Sequence, residues 1–147
     1  MESINDYMMG DHRTCDSSLA NSITAAQSGD VDGMTRDGND FLKRIRVHID
    51  MEEDVLFPAF EERTGMTEAG PSITMKEEHQ VMLPMLDQMQ QAIEAKNAAS
   101  YADVASQLND ILTQHNMKEE QMMYSMIDSA LGPDADGLLL EVKKMAV

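Results

Sequence analysis

The sequence has no tryptophan, a single cysteine and four prolines in 147 residues. With Cys15 alone, no internal disulfide can form, which suits a reducing compartment. β-Branched runs are few, and no segment alternates apolar and polar residues as a half-buried strand does. No apolar run approaches the roughly 20 residues of a membrane span. The opening MESINDYMMGDHR also lacks a basic stretch followed by an apolar one. The expected location is therefore cytoplasmic. Basic residues are scarce: 11 Lys and Arg stand against 27 Asp and Glu, a net charge of −16. Nucleic acid requires a basic footprint and an anionic membrane repels an acidic chain, so neither is an expected partner. The acidity itself serves solubility.

What remains favours helix. Fifteen methionines join Ala, Leu, Gln, Glu and Lys in long helix-forming stretches. Four segments emerge, about Ser3–Gln27, Val31–Glu62, Ile73–Ala95 and Ala98–Ala130. They are parted by Ser28-Gly29-Asp30, a loop from Gly65 to Ser72, and Lys96-Asn97. Ser3 with Asp6, and Ser100 with Asp103, have the spacing of a capping box. Pro58 is expected to kink or fray the end of the second segment. Pro84 is expected to break the ladder inside the third, having no N–H for the carbonyl of Gln80. Gly132-Pro133 ends the fourth segment, and Asp134 to Met145 can form a closing helix. Short links between long amphipathic helices predict an all-α fold, an antiparallel up-down four-helix bundle with a short C-terminal helix. The length fits one domain over residues 1–147.

The stretch HIDMEED, residues 48–54, interrupts a greasy face with ionisable groups. Phe41, Ile45, His48, Glu52, Val55 and Ala59 follow the 4-3 spacing of one core-facing stripe. The same holds elsewhere. Met8, His12, Cys15, Leu19 and Ile23 form a stripe, as do Met75, His79, Met82, Leu86 and Met89. Leu108, Ile111, His115, Glu119, Met122 and Met126 form another. His12 to His48 and His79 to His115 are each 36 residues apart, and the two pairs are offset by 67. Glu52 and Glu119 share that offset, so HIDMEEDVLF aligns with HNMKEEQMMY. The chain reads as two helix hairpins, about 1–66 and 68–133.

Every histidine thus points into the core, and two helices add a carboxylate one turn later. A buried carboxylate without a partner is costly. Two cations reverse that argument. Imidazole nitrogen and carboxylate oxygen suit iron, manganese or zinc rather than calcium. Six ligands exceed one tetrahedral zinc. Two metals, each with two histidines and bridged by Glu52 and Glu119, would use His12, His48, His79 and His115 as well. Carboxylate-rich bundle sites use four glutamates and Glu-x-x-His spacing. The histidine-rich set here should favour ferrous iron, and with it ligand binding or electron cycling. The Met stripe and Cys15 read as core packing. Glu53 and Glu120 rotate off the stripe, to back the ligands or face solvent. Tyr7 and Tyr124 flank the region as hydrogen-bond donors.

These residues resemble the hemerythrin-like family, the HHE cation-binding domains. The resemblance rests on DH at 11–12, HIDMEE at 48–53, EEH at 77–79 and HNMKEE at 115–120, and spans about Ser3 to Ala130. It implies a bundle holding a non-haem di-iron centre, two iron ions with an oxo or hydroxo bridge. His12, His48, His79 and His115 would be terminal ligands, and Glu52 and Glu119 the bridges. Leu83 stands where oxygen-carrying hemerythrins have a further histidine. The set is more similar to repair-of-iron-centres proteins and to bacterial relatives that handle nitric oxide or peroxide. The function implied is binding of dioxygen, nitric oxide or peroxide in sensing, storage or stress defence. The alternative is an enzyme reducing peroxide or nitric oxide, or an iron donor for iron–sulfur repair. An electron-donor or iron-acceptor protein would then be the partner.

Overall fold

The computed structural model describes residues 2–146. Helix α1 spans Ile4–Gln27. Ser3 caps it as expected: its Oγ accepts from the Asp6 N–H at 3.0 Å, and the Asp6 carboxylate accepts from the Ser3 N–H at 3.3 Å. Gly29 turns the chain at a φ of 78° that glycine tolerates best. Asp30 then caps α2, Val31–Asp50. The same helical rod continues through a π turn, Met51–Leu56, into α3, Phe57–Thr64, and ends on left-handed Gly65. Helix α4 spans Pro71–Glu94 and α5 spans Ala98–Lys118. A second π turn, Glu119–Met123, leads into α6, Tyr124–Leu131. A short 3-10 turn, Gly132–Asp134, precedes α7, Ala135–Met145.

Four expectations need correction. Helix α4 begins at Pro71, two residues earlier than the loop reading allowed, because proline suits a first helical position. Pro84 does not interrupt it. Gln80 and Pro84 are both exposed, so water can satisfy the carbonyl that loses its partner. Pro58 likewise frays nothing. It follows the π turn within the continuous rod, and Asp54, four residues back, is exposed, so water can reach the carbonyl left without a donor. The cap of α5 is Asn97, whose side chain accepts from the Ser100 N–H at 3.1 Å; Ser100 and Asp103 lie inside the helix.

The long helices pack α1 on α2 and α5, and α4 on α5 and α2, as an up-down bundle. Helix α7 closes one end, burying Leu139 and Val142. Two apolar clusters fill the interior. One gathers Leu19, Phe41, Leu86 and Leu108 with their neighbours toward the helix-connecting turns. The other gathers Met8, Leu56, Phe60 and Ile127 beneath α7. Along each helix, the four histidines, Glu52 and Glu119 lie between these two clusters.

The π turns shift the stripes. The Phe57 amide reaches back to the Glu52 carbonyl, and the Tyr124 amide to the Glu119 carbonyl. Each turn thereby holds one residue more than an α-helix would. Downstream of the glutamates the buried positions are Leu56, Phe57 and Phe60, and on the other rod Met123, Tyr124 and Ile127. Val55 and Ala59 are only half-buried, and Met122 is exposed. The uninterrupted 4-3 spacing is therefore right up to each glutamate and one residue out beyond it.

Candidate metal centre

All six candidate ligands converge. His12, His48, His79, His115, Glu52 and Glu119 are each at most 3 % exposed. Their ligand atoms fall into two groups, His12 with His48 and His79 with His115, and both groups contain Glu52 and Glu119. Within each group the atoms lie within 4.8 Å of one another. The imidazoles of each pair are tilted against one another across neighbouring helices, with ring centroids 4.6 Å apart for His12 and His48 and 5.0 Å for His79 and His115.

Each ring is held by its outer nitrogen. Nδ1 of His12 meets Glu120 at 2.7 Å, and that of His48 meets Asp11 at 2.6 Å. Nδ1 of His79 meets Glu53 at 2.5 Å, and that of His115 meets Glu78 at 2.7 Å. A carboxylate on Nδ1 fixes the tautomer and turns Nε2 inward as a donor. Asp11 matches Glu78, and Glu53 matches Glu120, at the 67-residue offset of the histidines. Asp11 and Glu78 had no role in the sequence reading. Their signal was present: each immediately precedes a histidine, in DH and EH, at that same offset. Glu53 and Glu120 resolve to the backing role rather than to solvent.

Inside, Glu119 Oε1 lies 3.1 Å from His12 Nε2 and 3.3 Å from His115 Nε2. Glu52 lies 3.0 Å from His79 Nε2 and 3.5 Å from His48 Nε2. Each glutamate therefore reaches one imidazole of each pair. The Tyr124 hydroxyl also enters, 2.6 Å from Glu52 Oε2 and 3.0 Å from Glu119 Oε1. Tyr7 stays outside, its ring beside the Lys143 ammonium. Cys15 belongs to the apolar cluster above the site, where burial pushes its thiol up to about 12.

Carboxylates and imidazoles perturb one another strongly within the site. Burial opposes charge on His48, but Glu52, Asp11 and Glu119 outweigh it and raise the imidazole to about 10. Burial likewise opposes charge on His115, and Glu119, Glu52 and Glu78 raise it to about 9. His79 is raised against burial by Glu52 and Glu53. Burial also opposes charge on Glu52, yet the neighbouring His48 and His79 imidazoles hold it well below the usual range. Burial, then Glu119 and Glu52, push the Tyr124 phenol well above its ordinary value.

The donor set fits a pair of metals. Glu52 Oε1, Glu119 Oε2 and His79 Nε2 are buried without a hydrogen-bond partner, despite the 3.0 Å approach of the first and last. Such atoms are costly unless something electron-poor completes them. Imidazole nitrogens with carboxylate oxygens match first-row transition ions.

Comparison with known proteins agrees with this geometry. An uncharacterised hemerythrin-like protein of Schizosaccharomyces pombe is 32% identical over 123 residues, covering 82% of this chain. Those residues are 57% of that protein, so the chain spans little more than half the length of this curated relative. No solved structure matches. No helix among the described residues is long and apolar enough to cross a membrane. The model of the hemerythrin HHE cation-binding domain matches residues 3–127, a span that contains every residue of the site, and the chain belongs to that family.

Proposed function

We propose that this chain is a non-haem di-iron protein that binds a small oxidant, dioxygen, nitric oxide or peroxide, in sensing, storage or stress defence. One observation carries the reading: two buried His-His-Glu-Glu groups share both glutamates. His12 and His48 would hold one metal, His79 and His115 the other, and Glu52 and Glu119 would bridge them. When bound, the iron pair supplies a redox-active centre that small oxidants can ligate.

The chain's own residues do the rest. Asp11, Glu53, Glu78 and Glu120 hold the imidazoles in the donor orientation. The apolar clusters on either side keep bulk water from the donors, which strengthens every charge interaction there. A cleft of about 310 Å³ lies on the surface between α4 and α5, lined by Glu78, Ile111 and the outer edge of His115.

Elemental analysis of freshly purified protein, with an ultraviolet–visible spectrum, tests this. The expected result is two irons per chain, with near-ultraviolet absorption that bleaches on reduction. A zinc pair, or folded protein that takes no metal, overturns it. Given iron, a reversible adduct with little turnover supports ligand binding. Sustained consumption of peroxide or nitric oxide, or loss of iron to an acceptor, replaces that reading with the enzyme or iron-donor one.

A further inference from the structure

The site's two halves match at the 67-residue offset, with one exception at its inner wall. Phe57 and Tyr124 are equivalents, each five residues after its glutamate and each closing a π turn on that glutamate's carbonyl. Phe57 stacks on His79, with centroids 6.1 Å apart and planes 17° from parallel. Tyr124 lies against His12, 5.6 Å between centroids. Only the tyrosine brings an oxygen.

That oxygen is crowded by donors. It lies 3.0 Å from His12 Nε2, 3.1 Å from His48 Nε2, 2.6 Å from Glu52 Oε2 and 3.0 Å from Glu119 Oε1. Those four residues are the whole of one metal group. A phenol has a single proton to give, and Glu52 and Glu119 compete for it. Hydrogen bonding therefore leaves one of these contacts unexplained. A shared metal gives donors crowded in this way a common cause. Around a metal with bonds of about 2.1 Å, adjacent octahedral donors stand about 3.0 Å apart. The hydroxyl keeps that spacing from His12, His48 and Glu119, and lies closer to Glu52, at 2.6 Å.

We propose that Tyr124 is a fifth protein ligand to the metal held by His12 and His48. This rests on the metal reading above. Ligation displaces the phenolic proton to solvent. The metal of His79 and His115 has Phe57 in the equivalent place and gains no such donor. The two metals are thus inequivalent, and an exogenous ligand goes to the one beside Phe57.

The test is iron(III)-loaded protein, with iron content, visible absorption and resonance Raman spectra taken on one sample. Tyrosinate ring modes enhanced under a visible charge-transfer band are expected. Tyr124→Phe should lose both while keeping two irons, and Phe57→Tyr should gain a second band. Azide should saturate at one per chain and leave the tyrosinate band in place. Wild-type protein with iron bound but no tyrosinate modes overturns the proposal, whether or not any variant folds. So does a Tyr124→Phe protein that keeps the band, or azide binding that abolishes it. A chain that takes no iron overturns the metal reading first and this proposal with it.

Discussion

Removing Glu53 should weaken one metal and spare the other. Its carboxylate holds Nδ1 of His79 at 2.5 Å, while His79 itself is fully buried. Without it the ring can turn, and Nε2 loses both aim and basicity. Loss of such a partner typically lowers metal affinity 10–100-fold, about 1.4–2.8 kcal/mol. The Glu53 side chain is 29 % exposed, so water can reach Nδ1 in its place. That puts Glu53→Ala near the tenfold end of the range, about 1.4 kcal/mol. Glu53→Gln keeps an amide oxygen to accept from Nδ1–H and should lose less. Glu120→Ala is the mirror experiment, because Glu120 holds His12 at 2.7 Å. Anaerobic ferrous titration against a competing chelator reads both sites. The expected isotherm has one step unchanged and one displaced, with opposite members affected in the two variants. Spectroscopy of the half-loaded forms distinguishes them, since only one half contains Tyr124. Equal weakening of both steps, or wild-type binding in Glu53→Ala, would refute the reasoning.

Other outcomes follow from the same structure. The metal-free chain should be most stable between about pH 4.5 and 6.5. His48, raised from 6.5 to about 10, contributes stability fully present below 6.5 and lost as pH climbs through 10. Glu52, lowered from 4.5, contributes stability present above 4.5 and lost as pH falls below it. Thermal melts of chelator-treated protein across pH check this, and a melting point still rising from pH 7 to 10 would contradict it. Leu56→Ala should cost about 2–5 kcal/mol. Half-buried Val55→Ala should cost distinctly less, and denaturant melts showing the reverse would deny the π-turn shift. Asp128→Ala removes the acceptor of the Ile4 and Asn5 amides at 3.0 and 3.1 Å. It should lower stability by about 1 kcal/mol, as loss of a helix cap does. Pro84→Ala restores a donor for Gln80 within a continuous helix and should raise stability by up to about 3 kcal/mol. A lower melting point for that variant would show that the proline serves the fold.

Much of this was legible in the letters because it depends on local period. His12, His48, His79 and His115 sit on 3.6-residue stripes, and the glutamates follow four residues after His48 and His115. Spacing alone therefore placed all six side chains inward. The π turns were not legible. A helix widens when an amide finds the carbonyl five back rather than four, and nothing in MEEDVL or EEQMM compels that choice. The misplacement of Val55, Ala59 and Met122 follows directly. Tyr124 was noted only as a flanking group, since on an uninterrupted helix it would point elsewhere. Asp11 and Glu78 escaped for a different reason. Their partners are on the neighbouring helix, 37 residues along the chain, and spacing within one helix cannot show that.

The four outer carboxylates also form a closed circuit. Asp11 ties α1 to His48 of α2, and Glu53, just past α2, ties on to His79 of α4. Glu78 carries the link from α4 to His115 of α5, and Glu120, just past α5, returns it to His12 of α1. The bundle wears a belt at mid-height, and it is fastened before any ion arrives. No helix can peel away without cutting two of its links and stranding a buried imidazole. Amide exchange near the belt should therefore report one shared opening free energy in all four helices. The ends of the bundle can breathe separately, but its waist opens all at once.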